Sequence, residues 1–162
     1  MRIYLAADHA GFGLKQVLID FLKKERHDVE DCGAYDFDKD DDYPEIIARA
    51  AKKLSHDSKE GIESRAIVIG ASGQGEAMVA NRFRGVRCAL YYGFAGLQKD
   101  ITGKELDIIS GSREHNNANA LSLGARFISI EEAKQAIKKW LATPFSGEER
   151  HTRRIAKIDE IS

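Results

Sequence analysis

A chain of 162 residues with 43% apolar side chains is long enough to fill one hydrophobic core and has the length of a single domain. Its 25 basic and 26 acidic groups nearly cancel, so no overall field draws it to nucleic acid or to an anionic membrane. Two cysteines, Cys32 and Cys88, are too few for a disulfide framework, and the first apolar stretch ends at Asp8, too soon for a signal segment. The expectation is a cytoplasmic protein without a membrane span.

In chain order, residues 3–7 read as a short buried strand, and Leu14, Val17, Leu18, Phe21 and Leu22 recur at helical spacing through 14–24. Residues 29–33 read as a second strand and 44–54 as a second helix, with Pro44 in its first turn. The β-branched run Ile67, Val68, Ile69 is a third strand; a glycine-rich turn follows over 70–75, and a helix opens at Glu76. Further strands are expected at 86–92 and 125–130, with helices at 116–122 and 131–141. The stretch 93–112 reads as an extended loop with some helix. From Glu148 onward the tail reads as a helix projecting outside the sheet, with Ile155 and Ile158 as its apolar stripe. Such a helix is expected to pack on a partner subunit.

Strands alternating with helices predict an α/β fold: one doubly wound, Rossmann-like, five-stranded parallel sheet with helices on both faces, forming one domain over 1–162. In such sheets ligands bind beyond the carboxyl ends of the strands, where the strand order reverses. The polar turns 8–13 and 70–75 both fall on that edge.

The turn at 70–75 is suited to an oxyanion, because its backbone N–H groups point above a helix N-terminus, and Glu76 stands directly behind it. Asp8 and His9 follow the first strand; Asp8 also suits helix capping, while a neighbouring imidazole suits a ligand site. Gly11 and Gly13 do not complete a dinucleotide fingerprint, so a nicotinamide cofactor is not expected. Arg150 and Arg154 lie one helical turn apart beside His151 and suit a phosphate monoester, with pairing to Glu148 and Glu149 as the plainer alternative. His115, next to Asn116 and Asn117, is a candidate acid or base. The aspartate run 36–42 lacks the glycine and glutamate of a calcium loop and reads as a solvated acidic loop, with only Asp42 and Tyr43 near the strand edge. Both cysteines are expected to be inert thiols.

Six segments, in order, resemble one family: DHAG at 8–11, DYP at 42–44, ASGQGEAMVAN at 71–81, REHNNAN at 113–119, LGAR at 123–126 and RHTRRI at 150–155. The chain is similar to the ribose-5-phosphate isomerase type B group, which includes the galactose-6-phosphate isomerase subunits. The resemblance implies a dimer, sometimes paired into tetramers, that interconverts aldose and ketose phosphates without metal or cofactor at sites shared between subunits. It implies ring opening by His115 and a hydroxyl or ring-oxygen contact from Asp8. Ser72, Gly73, Gly75 and Asn116 would steady the enediolate oxygen. His9, Arg126, Arg150, His151 and Arg154 would grip the phosphate. Many members carry a cysteine base where this chain has Gly70; a second branch uses a glutamate at the position of Glu76, and this chain fits that branch. Ribose 5-phosphate with ribulose 5-phosphate is the expected pair, and a six-carbon sugar phosphate or a non-catalytic sugar-phosphate binder the alternatives. Extra residues within 91–112, relative to the family pattern, are expected to form a lid or reshape the pocket.

Overall fold

The computed structural model describes every residue except Ala95, Leu97, Asp100 and Ser162. Its elements run β1 (Arg2–Ala7), α1 (Phe12–Lys24), β2 (Asp28–Asp31), α2 (Tyr43–Lys59), β3 (Ser64–Gly70), α3 (Gln74–Ala80), β4 (Cys88–Tyr91), β5 (Gln98–Lys99), β6 (Glu105–Leu106), α4 (Ile108–Glu114), β7 (Ala120–Gly124), α5 (Ile130–Ala142) and α6 (Glu149–Glu160). Five parallel strands form the main sheet in the order β2-β1-β3-β7-β4. The order reverses at β1, because the chain first steps outward to β2 and then crosses back to place β3 on the other side. The crevice between the carboxyl ends of β1 and β3 is therefore the switch point.

Alternation along the central strands builds two cores. Ile3, Leu5, Ile67, Ile69, Leu121 and Leu123 face one way and pack with Leu18 and Leu22 of α1 and Ile137 and Trp140 of α5. Tyr4, Ala6, Ala66, Val68 and Ala120 face the other way, against Ile47, Ala50 and Leu54 of α2 and Ala80 of α3. Burial on both faces explains why β1 and β3 are nearly continuous apolar runs. Lys15 of α1 is fully buried, with its ammonium 2.5 and 2.6 Å from the two carboxylate oxygens of Asp31. This pair ties α1 to the end of β2.

Two expected elements are corrected. The helix expected over 116–122 is absent; α4 ends at Glu114, Asn117 takes a left-handed φ of 45°, and the asparagines form the turn into β7. Asn119 accepts from the Arg87 amide and donates to the Gly85 carbonyl, which fixes that turn. The strand expected over 125–130 starts earlier: Ala120–Gly124 lies between β3 and β4 and is buried throughout, so tertiary position overrode a locally ambiguous pattern. Residues 125–128 instead fold back, with Ala125 donating to the Gly70 carbonyl and Arg126 to that of Ala71. Within the stretch read as loop with some helix, β5 and β6 form a small antiparallel hairpin ahead of α4.

The helix α6 stands off the sheet. Only His151 along it is buried, while Ile158 is 54% exposed. No helix of the described residues is long and apolar enough to cross a membrane.

Candidate active site

The two loops at the switch point are built to approach each other closely. Asp8 accepts from the Gly11 amide at 2.9 Å, a local turn that serves the entry to α1, although the N-cap position itself is Gly11. The Asp8 amide donates to the Ile69 carbonyl at the end of β3. A Cβ at Gly11 would come within 2.7 Å of that same carbonyl oxygen, so only glycine lets the turn lie against β3.

After β3 the chain turns through Ser72 to Gly73, whose φ of 76° is left-handed and which caps α3. Ser122, buried in β7, donates its hydroxyl to the Gly73 carbonyl at 2.6 Å and holds the turn from below. Tyr43 lies over the turn from above: a Cβ at Gly75 would meet its ring at 2.8 Å. Glu76 sits in the first turn of α3 and is only 4% exposed. Burial holds its carboxyl above the usual range against the pull of its own backbone amide, and the negative charges of Asp8 and Asp41 add to the rise. A weakly solvated carboxylate with a raised pKa holds a proton more strongly than one in water.

The space Glu76 fills explains the glycine at the end of β3. A Cβ at Gly70 would lie 2.1 Å from the Glu76 carboxyl carbon and one of its oxygens, and 2.5 Å from the other. A side chain at 70 and the carboxyl of Glu76 thus compete for one position. Only glycine at 70 leaves the acid where it is.

His9 stands beside this group. Its Nδ1 is 2.7 Å from Asp41 Oδ1, and that bond, with the charge of Asp8, raises its pKa against burial and the opposing charge of Arg126. The acidic loop, expected to bring only Asp42 and Tyr43 near the strand edge, instead sends Asp41 to His9, while Asp42 stays exposed at the N-cap of α2 without a side-chain cap bond. Asp8, His9 and Asp41 each offer a ligand atom within 4.8 Å of the others, the one such group among the described residues. As a cation site it is weak, since His9 Nδ1 is already committed to Asp41 Oδ1 and Asp8 Oδ1 accepts from the Gly11 amide.

The remaining predicted residues form a second group. His115 at the end of α4 stacks on His151 of α6, with ring centroids 4.6 Å apart and planes 11° from parallel. Burial and the nearby cations Arg150 and Arg154 lower the His151 pKa against the opposing charge of Glu148. Arg150 pairs with Glu148 at 2.8 Å, which is the plainer alternative for that residue, and Arg154 is exposed on the same helix. Asn116 is exposed beside His115. Both line a cavity of about 620 Å³ that the hairpin, α4 and α5 enclose with Leu90, Tyr91, Phe94 and Leu106. Neither Glu76 nor the glycine turn reaches that cavity.

Among the described residues no hydrogen bond, ion pair or ring contact joins the group around Glu76 to the group around His115. One chain thus presents a buried carboxyl beside a glycine turn, and separately a histidine pair with two arginines. Burial pushes the thiols of Cys32 and Cys88 up to about 12. Asp41 and Ser122 are the functional candidates missed from sequence. The signal for Ser122 was a hydroxyl within the otherwise apolar run ALSLG; for Asp41, surrounded by like residues, there was none.

Residues 3–158 match the family model described as Ribose/Galactose Isomerase. Ribose-5-phosphate isomerase B of Mycobacterium tuberculosis is 40% identical over 160 residues, covering 99% of this chain and 89% of that protein. A probable ribose-5-phosphate isomerase B of Mycoplasma genitalium is 34% identical, covering 97% of this chain and 93% of its own length. Among solved structures, ribose-5-phosphate isomerase B from Mycoplasma genitalium with bound ribulose-5-phosphate superposes with a TM-score of 0.83 at 33% identity, over 99% of this chain and 95% of that one. The enzyme from Thermotoga maritima gives 0.80 at 37% identity, over 98% and 97%.

Proposed function

Because the chain belongs to the ribose/galactose isomerase family, we propose that it interconverts ribose 5-phosphate and ribulose 5-phosphate through an enediolate, with Glu76 as the base. It is an aldose–ketose isomerase. The observation that carries the choice of base is the exchange of space at Gly70, where the Glu76 carboxyl occupies the position a side chain would take.

The reaction moves a carbonyl between C1 and C2. It needs a base that reaches both carbons, donors aimed at the oxygen that becomes negative, and an anchor on the remote phosphate. Glu76 takes the proton from one carbon and returns it to the other, while the hydroxyl proton passes between the two oxygens; its shielded carboxyl makes it a stronger base than a solvated one. Backbone amides of the turn 72–75, pinned by Ser122, hold the enediolate oxygen, and Asn116 adds a side-chain donor. His115 transfers the proton that opens the sugar ring, and Asp8 binds a hydroxyl. His9, Arg126, Arg150, His151 and Arg154 hold the phosphate, with Tyr43 at the rim.

The two separate groups are completed by a second copy. A two-fold dimer in which α6 of one subunit lies against the switch point of the other brings His115, Asn116 and the arginines to the partner's Glu76, twice over. The exposed face of α6 and the stacking of His151 on His115 support this reading. The chain works in the cytoplasm as one domain, as a dimer or a pair of dimers. The hairpin beside the wall that carries His115 favours one second reading, a larger phosphorylated sugar such as a six-carbon 6-phosphate.

Purified protein treated with EDTA is expected to interconvert the two pentose phosphates, and Glu76→Gln to lose the activity while still binding phosphate. Activity abolished by EDTA and restored by a divalent cation would contradict the mechanism. A hairpin-shortened protein whose preference moves between five- and six-carbon substrates would assign the hairpin to selection.

A further inference from the structure

We propose that Asp41 is a positioning residue of the phosphate grip: its carboxylate holds the His9 ring through Nδ1 so that Nε2 faces the substrate. The inference rests on the reading of His9 as a phosphate ligand and Glu76 as base.

Three observations converge on this carboxylate. Asp41 Oδ1 lies 2.7 Å from His9 Nδ1, so in either charge state of the ring the proton on Nδ1 is donated to Asp41 and the tautomer is fixed. The side chain is 8% exposed, although it belongs to an acidic run at the surface. Its other oxygen, Oδ2, is buried and has no hydrogen-bond partner among the described residues. Folding alone does not favour such an arrangement, because a buried acceptor left unpaired costs stability. An acid retained there is explained by what it does to its neighbours.

The loop that carries Asp41 closes on His9 from a second side. Phe37 sets its ring edge-on to the imidazole, with centroids 6.4 Å apart and planes at 86°, and meets Phe12 of α1 in the same manner. His9 is thereby held between an aromatic edge and a carboxylate from one loop. The charged groups that face it are Asp8 from its own turn, Asp41 from the loop, and Arg126 from the segment after β7. Glu76 feels Asp8 and Asp41. Asp41 is thus shared by the grip and the base.

The sign of its effect differs in consequence at the two sites. At His9 its negative charge favours the imidazolium, which donates one N–H to Asp41 and the other to the phosphate, so the grip persists to higher pH. At Glu76 it disfavours the carboxylate, so the base needs higher pH to ionise. Neutralising Asp41 while keeping its shape therefore moves both limbs of the kcat/KM profile to lower pH. Loss of a merely structural residue lowers the height of the profile and leaves its limbs in place.

The test is Asp41→Asn, with Asp41→Glu as the charge-retaining control. By NMR without substrate, the His9 ring of the Asn variant is expected to titrate at lower pH than in the wild type, and that of the Glu variant close to the wild type. With ribose 5-phosphate, the Asn variant is expected to raise KM about tenfold, as for loss of a charge-assisted contact, with kcat within about threefold. Both limbs of kcat/KM should move to the acid side; the phosphate's own ionisation is common to both proteins and cancels in the comparison. A His9 titration unchanged in Asp41→Asn, or a profile lowered without displacement, overturns the proposal. Wild-type protein that turns over no pentose phosphate, with the His9 shift intact, overturns the functional reading and leaves the pairing of Asp41 with His9 standing.

Discussion

Replacing Gly70 by alanine tests the placement of the base directly. The new Cβ lies 2.1 Å from the Glu76 carboxyl, and ordinary contact begins at 3.4 Å, so the carboxyl must retreat by about 1.3 Å. That retreat is cheap for the fold, because the displaced atoms are the far end of a flexible side chain, and Gly70 is not among the glycines with a left-handed φ. Stability should change by less than about 1 kcal/mol, since alanine also reduces the freedom of the unfolded chain. Catalysis is less tolerant: a displacement of about 1 Å in a reacting group costs on the order of 10²-fold, which corresponds to about 2.7 kcal/mol in the barrier. Steady-state kinetics in both directions should show kcat reduced by about two orders of magnitude, with KM within about threefold because the phosphate ligands are untouched. In Glu76→Gln, adding Gly70→Ala should lower the rate little further, since both changes act through one group. A Gly70→Ala enzyme that unfolds no more easily than the wild type and keeps its kcat would refute the assignment of Glu76.

Glu76→Gln removes a buried charge. The folded-state pKa lies above the ordinary carboxyl value of 4.5, so the penalty is present above the raised pKa and vanishes as pH falls below the unfolded one; thermal melts should show the variant more stable than the wild type near pH 8 and equal to it near pH 4. Ser122→Ala leaves the Gly73 carbonyl without its buried donor, and urea titration should show a loss of about 1 to 3 kcal/mol, accompanied by a lower kcat as the oxyanion turn loosens. Arg154→Lys keeps the charge but loses the planar fork, and should raise KM for the sugar phosphate more than it lowers kcat. Mixing Glu76→Gln with His115→Ala subunits should recover activity in heterodimers, because one of the two shared sites is then intact; recovery absent under subunit exchange would count against sites built from two chains.

The local sequence already determined much of this protein. β-Branched and alternating runs at 3–7 and 67–69 specified β1 and β3, because strands buried on both faces need apolar side chains at successive positions. The amphipathic spacing of Leu18 and Leu22 specified the face of α1, and glycine followed by glutamate marked the turn and the acid that opens the helix after β3. What required tertiary structure was whatever depends on neighbours remote in the chain. Residues 116–130 carry short, ambiguous patterns, and only insertion between β3 and β4 makes Ala120–Gly124 a strand. Asp41 is one aspartate among several until the fold brings it to His9, 32 positions away. Gly70 looks permissive in the sequence, and its necessity emerges only when the Glu76 carboxyl is seen to fill the volume its side chain would take. Periodicity records which way a residue faces; the identity of what it faces is set by packing, which no local pattern encodes.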